Sequence, residues 1–330
     1  MLNNNEIDYL PQKFSSASSL STEDTQQEPE PVFAIEGLSL VKPLSQSKFP
    51  VYIVNSSRLN KNSVMKVFPW EHNALSHFYV REARFSNFSH SNLISMFHTE
   101  DKELFHYNNQ PVTGSYILME YCQYGDFLGA ITKYMIPFHD KLLRTYFHQL
   151  IECLEYLHSH KAAHLDIKPE NMLVGDDYTL KLTDFDLSCM EEDIEVVTKG
   201  TKNYRAPEIF NGTCQDPRAA DVYSAGIVLF VLKTRGTFPY FEDKRVHNID
   251  MAVLKEDYPE LFFENHCKFG ERSASFFSED FKALFLSMTR FDPEKRATIS
   301  EVKSSNWYQG EIYTNEELLD FMKGRFDSTC

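Results

Sequence analysis

An α+β architecture in two unequal lobes, a small β-rich N-terminal lobe followed by a larger helical C-terminal lobe, is what the 330-residue sequence predicts. Short β-type runs, Val51 to Val54, Val64 to Phe68 and Tyr116 to Met119, crowd the first third of the chain between polar turns. One helical pattern interrupts them. Past Gly125 the period changes, with Leu143, Tyr146, Phe147, Leu150, Ile151, Leu154 and Leu157 recurring at helical spacing. Val222 to Leu232 is apolar nearly all round, as in a helix enclosed by a core.

Residues 1–32 are rich in Ser, Asn, Gln, Pro and acid, and Glu6, Asp8, Glu23, Asp24, Glu28 and Glu30 against Lys13 give them a charge of -5. That composition predicts a disordered tail. The expected division is then 33–121 for the first lobe, 122–310 for the second and 311–330 as an extension. A hydrophobic content of 42% supports a sizeable core, and the formal charge of -15 disfavours nucleic acid and anionic membranes while favouring basic partners. The apolar run Ala225 to Leu232 falls far short of the ~20 residues of a membrane span. With no basic patch and apolar stretch after Asn3, Asn4, Asn5 and Glu6, no secretory signal is expected, and an intracellular setting, cytoplasmic or nuclear, follows. Cys122, Cys153, Cys189, Cys214, Cys267 and Cys330 lie far apart, against both a disulfide framework and a cysteine zinc site.

The chemistry concentrates in His164 to Asn171, HLDIKPEN, where Asp166, Lys168 and Asn171 share one tight segment. Pro169 stops the preceding helix from continuing, and Met172 to Val174, the turn Gly175, Asp176, Asp177, and Leu180 to Leu182 read as a β-hairpin. A hairpin brings its flanks together, so the Asn171 amide oxygen and the Asp184 carboxylate are expected to converge as hard ligands suited to Mg²⁺. Asp166 and Lys168 stand beside them. A carboxylate next to an ammonium and a metal suits proton acceptance from a hydroxyl with charge stabilisation on a transferred phosphoryl group.

HLDIKPEN, DFD at Asp184 to Asp186, and YRAPE at Tyr204 to Glu208 together resemble the catalytic loop, metal-binding motif and activation-segment end of eukaryotic protein kinases, over roughly residues 34–310. Lys168 with no AAR pattern after Asp166 resembles the serine/threonine type. The resemblance implies that Asp166 accepts the substrate proton, that Lys168 neutralises the γ-phosphate of ATP, and that Asn171 and Asp184 hold Mg²⁺. Lys66, a lone cation in the Val64 to Val67 run, resembles the phosphate-anchoring lysine; Glu82, expected on a helical stripe with Leu75, Phe78 and Phe85, resembles its partner. By the same resemblance Glu120 and Cys122 offer backbone groups to adenine, Met119 is the gatekeeper, and Val51, Val64 and Leu173 sandwich the base. Asp221 would tie down the catalytic loop, and Arg296 would pair with Glu208.

Three departures shape the expectation. No glycine lies between Gly37 and Gly114, so the phosphate loop carries Leu44, Gln46 and Phe49 where the family has glycines, and restricted approach to phosphates is expected. Asp186 replaces the glycine of the metal motif. Leu165 replaces the arginine that receives activation-loop phosphate, which predicts activity independent of phosphate at Thr198 or Thr201. Glu191, Glu192, Asp193 and Glu195 form an acidic run, read as solvated or, with Asp126, as an attraction for basic substrates. His158, His160 and His164 lack the paired ligands of a zinc site. An active kinase acting on serine or threonine of protein substrates leads; a pseudokinase serving as a scaffold is the alternative. Nothing in the sequence specifies an oligomeric state.

Overall fold

Alternation along the β-type runs buries both faces of one antiparallel sheet. The computed structural model describes residues 35–46, 49–107, 110–134, 136, 138–193, 200–212, 214–240 and 255–326. The acidic tail, Glu195, Thr198 and Cys330 lie outside the described residues. The first lobe runs β1 (Leu38–Gln46), β2 (Pro50–Ser56), β3 (Lys61–Pro69), α1 (His77–Ala83), β4 (Met96–Tyr107) and β5 (Gln110–Glu120), with the sheet ordered β1-β2-β3-β5-β4. In β3, Met65 and Val67 join Tyr52, Val54, Tyr116 and Leu118 in a cluster on one face. Val64 and Phe68 join the main core with Phe78 and Tyr79 of α1. Lys66 shares their parity, so strand geometry directs it towards α1.

Neither β1 nor β4 stands out in the sequence as a β-type run. Both are edge strands, where one side of the ladder is unpaired and charge is tolerated. β4 carries Glu100 to Glu103 and breaks its register there, while Val41 and Leu44 of β1 are about half exposed. The helix is also shorter than the expected stripe. Leu75 precedes the N-cap Ser76 and is 40% exposed, because His72 and Asn73 adopt left-handed φ values of 53° and 60° in a turn closed by Glu71 and Ala74. Phe85 lies beyond the C-cap Arg84, yet remains in the core.

The second lobe contains α2 (Phe127–Lys133), α3 (Asp140–Ser159), β6 (Ala162–Ala163), β7 (Met172–Val174), β8 (Leu180–Leu182), β9 (Cys189–Met190), α4 (Pro207–Phe210), α5 (Pro217–Lys233), α6 (Pro259–Phe269), α7 (Glu279–Met288), α8 (Ile299–Ser304) and α9 (Asn315–Phe326). Every residue of α5 from Ala220 to Leu232 is buried, as its apolar circumference requires. The expected hairpin is β7–β8, pairing Met172 with Leu182 and Val174 with Leu180. Leu318 and Met322 of α9 are fully buried in the main core, and the Tyr313 amide donates to Thr145 Oγ1 on α3 at 2.9 Å. No helix among the described residues is long and apolar enough to cross a membrane.

Candidate active site

The cleft between sheet and helices gathers charges that are distant along the chain. Lys66 Nζ lies 2.7 Å from Glu82 Oε2 and 2.7 Å from Asp184 Oδ1. Burial works against the Lys66 ammonium, but Glu82, Asp184 and Asp186 hold its pKa above the ordinary lysine value. At Glu82 burial prevails over the attraction of Lys66 and pushes the carboxyl up to about 7. Geometry gives the reason: Lys66 divides its charge between two carboxylates, and Glu82 Oε1 is buried with no hydrogen-bond partner among the described residues. At Asp184 burial is overcome by Lys66, and the carboxyl sits below its usual range.

The Asp166 carboxylate receives four hydrogen bonds among the described residues. Its Oδ1 accepts from Thr201 N (3.0 Å) and Oγ1 (3.1 Å), and its Oδ2 from Lys168 Nζ (2.5 Å) and Asn171 Nδ2 (3.1 Å). The loop is fixed from beneath by Asp221, whose carboxylate accepts from His164 N and Leu165 N at 2.8 Å each. Those bonds hold Leu165 at a left-handed φ of 65°, a conformation costing about 1–3 kcal/mol without such support. Asp221 lies in the second turn of α5 rather than at its start, which Asp216 caps. Asp184 is also left-handed, with φ 70°, and the adjacent Phe185 stacks on Phe85 at 4.8 Å, so the core side of the motif is packed while Asp184 faces Lys66.

The base-binding candidates lie on β2 (Val51), β3 (Val64), the end of β5 (Glu120) and β7 (Leu173), with Cys122 just past β5. Val64 is buried, while Val51 and Leu173 are half-buried against the main core. Glu120 N donates to Ser95 O at 2.9 Å, and Gly125 N to Cys122 O at 3.1 Å, so β5 passes into a tight turn at Gly125, whose φ of 76° suits glycine. Burial pushes the Cys122 thiol up to about 12, leaving it a neutral wall group.

The family described as "Protein kinase domain" matches residues 50–308. This chain belongs to the protein kinase family. It is 32% identical over 213 residues to CBL-interacting serine/threonine-protein kinase 10 of Arabidopsis thaliana, covering 63% of this chain and 41% of that protein. It is 33% identical to CBL-interacting protein kinase 11 of Oryza sativa subsp. japonica, covering 61% of this chain and 38% of the relative. With the carbon catabolite-derepressing protein kinase of Secale cereale the identity is 34%, covering 60% and 36%. The chain thus spans about two fifths of the length of the curated relatives it matches.

Protein kinases use ATP and Mg²⁺, and the donor atoms of this chain fit such a cation. Asn171 Nδ2 is committed to Asp166, at 2.9 Å from its carbonyl and 3.1 Å from its carboxylate, which leaves Asn171 Oδ1 available. Asp184 Oδ1 is engaged by Lys66, the side chain is 33% exposed, and Oδ2 makes no hydrogen bond among the described residues. No group of three or more His, Cys, Asp or Glu among the described residues forms a protein cage. Two oxygen ligands without a cage suit Mg²⁺, which keeps water and phosphate oxygens in its shell. As the pH falls below about 7, Glu82 becomes neutral and its ion pair with Lys66 is lost, so Mg-ATP affinity is expected to weaken there and Glu82→Gln to flatten the profile. Calorimetric titration across that pH checks it. The stability contribution has the opposite slope: a carboxyl raised from 4.5 to about 7 stabilises the fold below 4.5 and loses that contribution as the pH rises through 7.

The departures from the kinase pattern have specific structural outcomes. The three residues expected to obstruct the phosphate loop do not act alike: Leu44 is 47% exposed, whereas Phe49 is buried with its ring 4.8 Å from Phe68 and 5.3 Å from Phe78. The side chain of Gln46 lies outside the described residues. Strand parity with Val51, two residues on, is the sequence feature that places Phe49 inside. Asp186 is half-buried and is not among the residues with positive φ, so its backbone here does not require glycine. Leu165 is buried in the main core. Thr201, one of the two positions whose phosphate activity is expected not to need, donates its hydroxyl to Asp166 and accepts from Lys168, and a phosphate there would meet the Asp166 carboxylate. The acidic run is not simply solvated: Glu191 pairs with Lys161 at 2.8 Å, and Glu192 and Asp193 pair with Arg84. Asp126, read as a substrate contact, caps α2 through Gly129 N at 2.8 Å. Arg84 and Thr201 are the site residues the motif reading does not assign; an Arg two places beyond Glu82, in a chain with an acidic activation segment, is the clue to the first.

Proposed function

We propose that this chain is an ATP-dependent serine/threonine protein kinase. The observation that carries the reading is the convergence of Lys66, Asp184, Asn171 and Asp166 on one cleft, with Lys66 2.7 Å from both Glu82 and Asp184. Lys66 anchors the nucleotide phosphates and Glu82 holds Lys66 in place. Val51, Val64 and Leu173 enclose the adenine, beside the backbone of Glu120 and Cys122. Asn171 and Asp184 hold Mg²⁺, which supplies neutralisation of the phosphate oxygens. Asp166 takes the proton of the acceptor hydroxyl as that oxygen bonds to the γ-phosphorus, the bond from that phosphorus to the β–γ bridging oxygen breaks and ADP leaves with the electron pair, and Lys168 compensates the charge gathering on the phosphoryl group. The division of labour assigns residues 33–121 to the nucleotide-covering lobe, 122–310 to the substrate-bearing lobe and 311–330 to an extension. Protein substrates of basic character suit a chain with formal charge -15. An intracellular setting goes with the reading, supported by free thiols at Cys122, Cys153, Cys189, Cys214 and Cys267.

Incubation of the purified chain with radiolabelled ATP, Mg²⁺ and a generic basic protein acceptor is expected to yield phosphoserine or phosphothreonine. No transfer with either Mg²⁺ or Mn²⁺ would instead assign the chain to the scaffolding pseudokinases.

A further inference from the structure

Arg84, the C-cap of α1, reaches across 109 residues of sequence to the activation segment. Its Nη1 donates to both carboxylate oxygens of Asp193, at 2.8 and 3.0 Å, and its Nη2 to Glu192 Oε1 at 3.0 Å. Asp193 is itself anchored, since its Oδ2 accepts from Met190 N at 2.8 Å and its own amide donates to Met190 O at 3.0 Å. That turn directly follows β9, which pairs with β6 beside the catalytic loop, and the Glu191 amide donates to Lys161 O at 2.8 Å. One guanidinium therefore joins the helix bearing Glu82 to a segment fastened to the scaffold of Asp166. A planar guanidinium that gives one nitrogen to each of two neighbouring carboxylates restrains orientation as well as distance.

We propose that Arg84 is a positioning residue, and that Asp193 with Glu192 forms a permanent anionic latch that holds α1, and through it the Glu82–Lys66 pair, in the transfer-competent arrangement without added phosphate. The inference rests on the kinase reading and deepens it by naming how the site is kept assembled. Leu165 agrees with it: the loop position carries a buried aliphatic side chain with no cation to offer a phosphate, while Arg84, at the end of α1, is already occupied by carboxylates. Arg84 and Asp193 are only partly exposed, at 31% and 25% of their side-chain surfaces, so solvent screens the pair less than a fully exposed one.

A double-substitution cycle on phosphatase-treated protein tests the latch. Asp193→Asn keeps an oxygen for the Met190 amide while removing the charge, and Arg84→Gln keeps a polar side chain on α1. Each is expected to lower kcat about tenfold and to speed amide hydrogen exchange over residues 77–85 by a similar factor, as coupled contacts do, and the double variant is expected to be no worse than either single one. Asp193→Glu, retaining the charge, is expected to recover part of the loss. Additive effects in the double variant, or singles with wild-type exchange over α1, would overturn the latch. Exchange is read whether or not the wild type transfers phosphate: an inactive wild type with a coupled exchange response sinks the kinase reading and leaves α1 latched, whereas an active wild type with no response sinks the latch alone.

Discussion

Asp166→Asn is expected to lower kcat by roughly 10²- to 10⁴-fold, the usual contribution of a positioned general base, while leaving the KM for ATP near its wild-type value. The amide cannot accept the substrate proton, and it cannot reproduce the surroundings of the carboxylate either. Asp166 offers one oxygen to the Thr201 amide and hydroxyl and the other to Lys168 and Asn171. An asparagine has only one oxygen, so one pair of donors must face its NH₂ group. Turning the oxygen towards Thr201 would leave the Lys168 ammonium against an N–H donor, and Lys168 would then keep only its 2.9 Å contact with Thr201 Oγ1. The loop itself survives because Asp221 grips it independently through His164 N and Leu165 N. Steady-state kinetics with radiolabelled ATP, alongside a thermal melt, separates the outcomes: a collapsed kcat with an unchanged melting midpoint supports the role, and a kcat equal to wild type removes Asp166 from the chemistry.

How far the site can be read from the sequence follows from the range of the contacts that build it. Asp166, Lys168 and Asn171 lie within six consecutive positions, and the β7–β8 hairpin carries the chain back past them to Asp184, so local geometry alone implies their convergence. The strand period likewise places Lys66 on the face that α1 covers. The bond from Lys66 to Asp184 spans 118 residues and that from Arg84 to Asp193 spans 109; no local period encodes either, and both depend on how the lobes close. The acidic run shows the limit. Glu191 and Glu192 are exposed, as adjacent carboxylates usually are, but no local pattern tells that Lys161 and Arg84 pair with them or that Asp193 is drawn partly out of solvent. The edge strands β1 and β4 elude the hydrophobic pattern because their stability comes from pairing on one side, which places few demands on composition.

Removing one member of the Glu208–Arg296 pair is expected to destabilise the fold by about 3–5 kcal/mol, more than any other single substitution considered for this chain. The Arg296 side chain is fully buried, and its guanidinium donates to Glu208 Oε1 at 2.5 Å and Oε2 at 2.9 Å, as well as to Ala219 O at 2.8 Å and Arg290 O at 3.0 Å. These bonds tie α4, which follows the activation segment, to the start of α5 and to the loop after α7. Glu208→Ala strands an unpaired guanidinium where water cannot reach it, and the carbonyl partners can satisfy its hydrogens without neutralising its charge. For a chain of this length such a loss lowers the melting midpoint by roughly 5–10 °C. Replacing both partners, as in Glu208→Leu with Arg296→Met, removes the buried charge along with the attraction and is expected to cost clearly less than Glu208→Ala alone. Calorimetry on the three variants decides it. A midpoint for Glu208→Ala within error of wild type would mean that the pair carries no structural weight, and a double variant less stable than the single one would place the energy in packing around the guanidinium rather than in the charge pair.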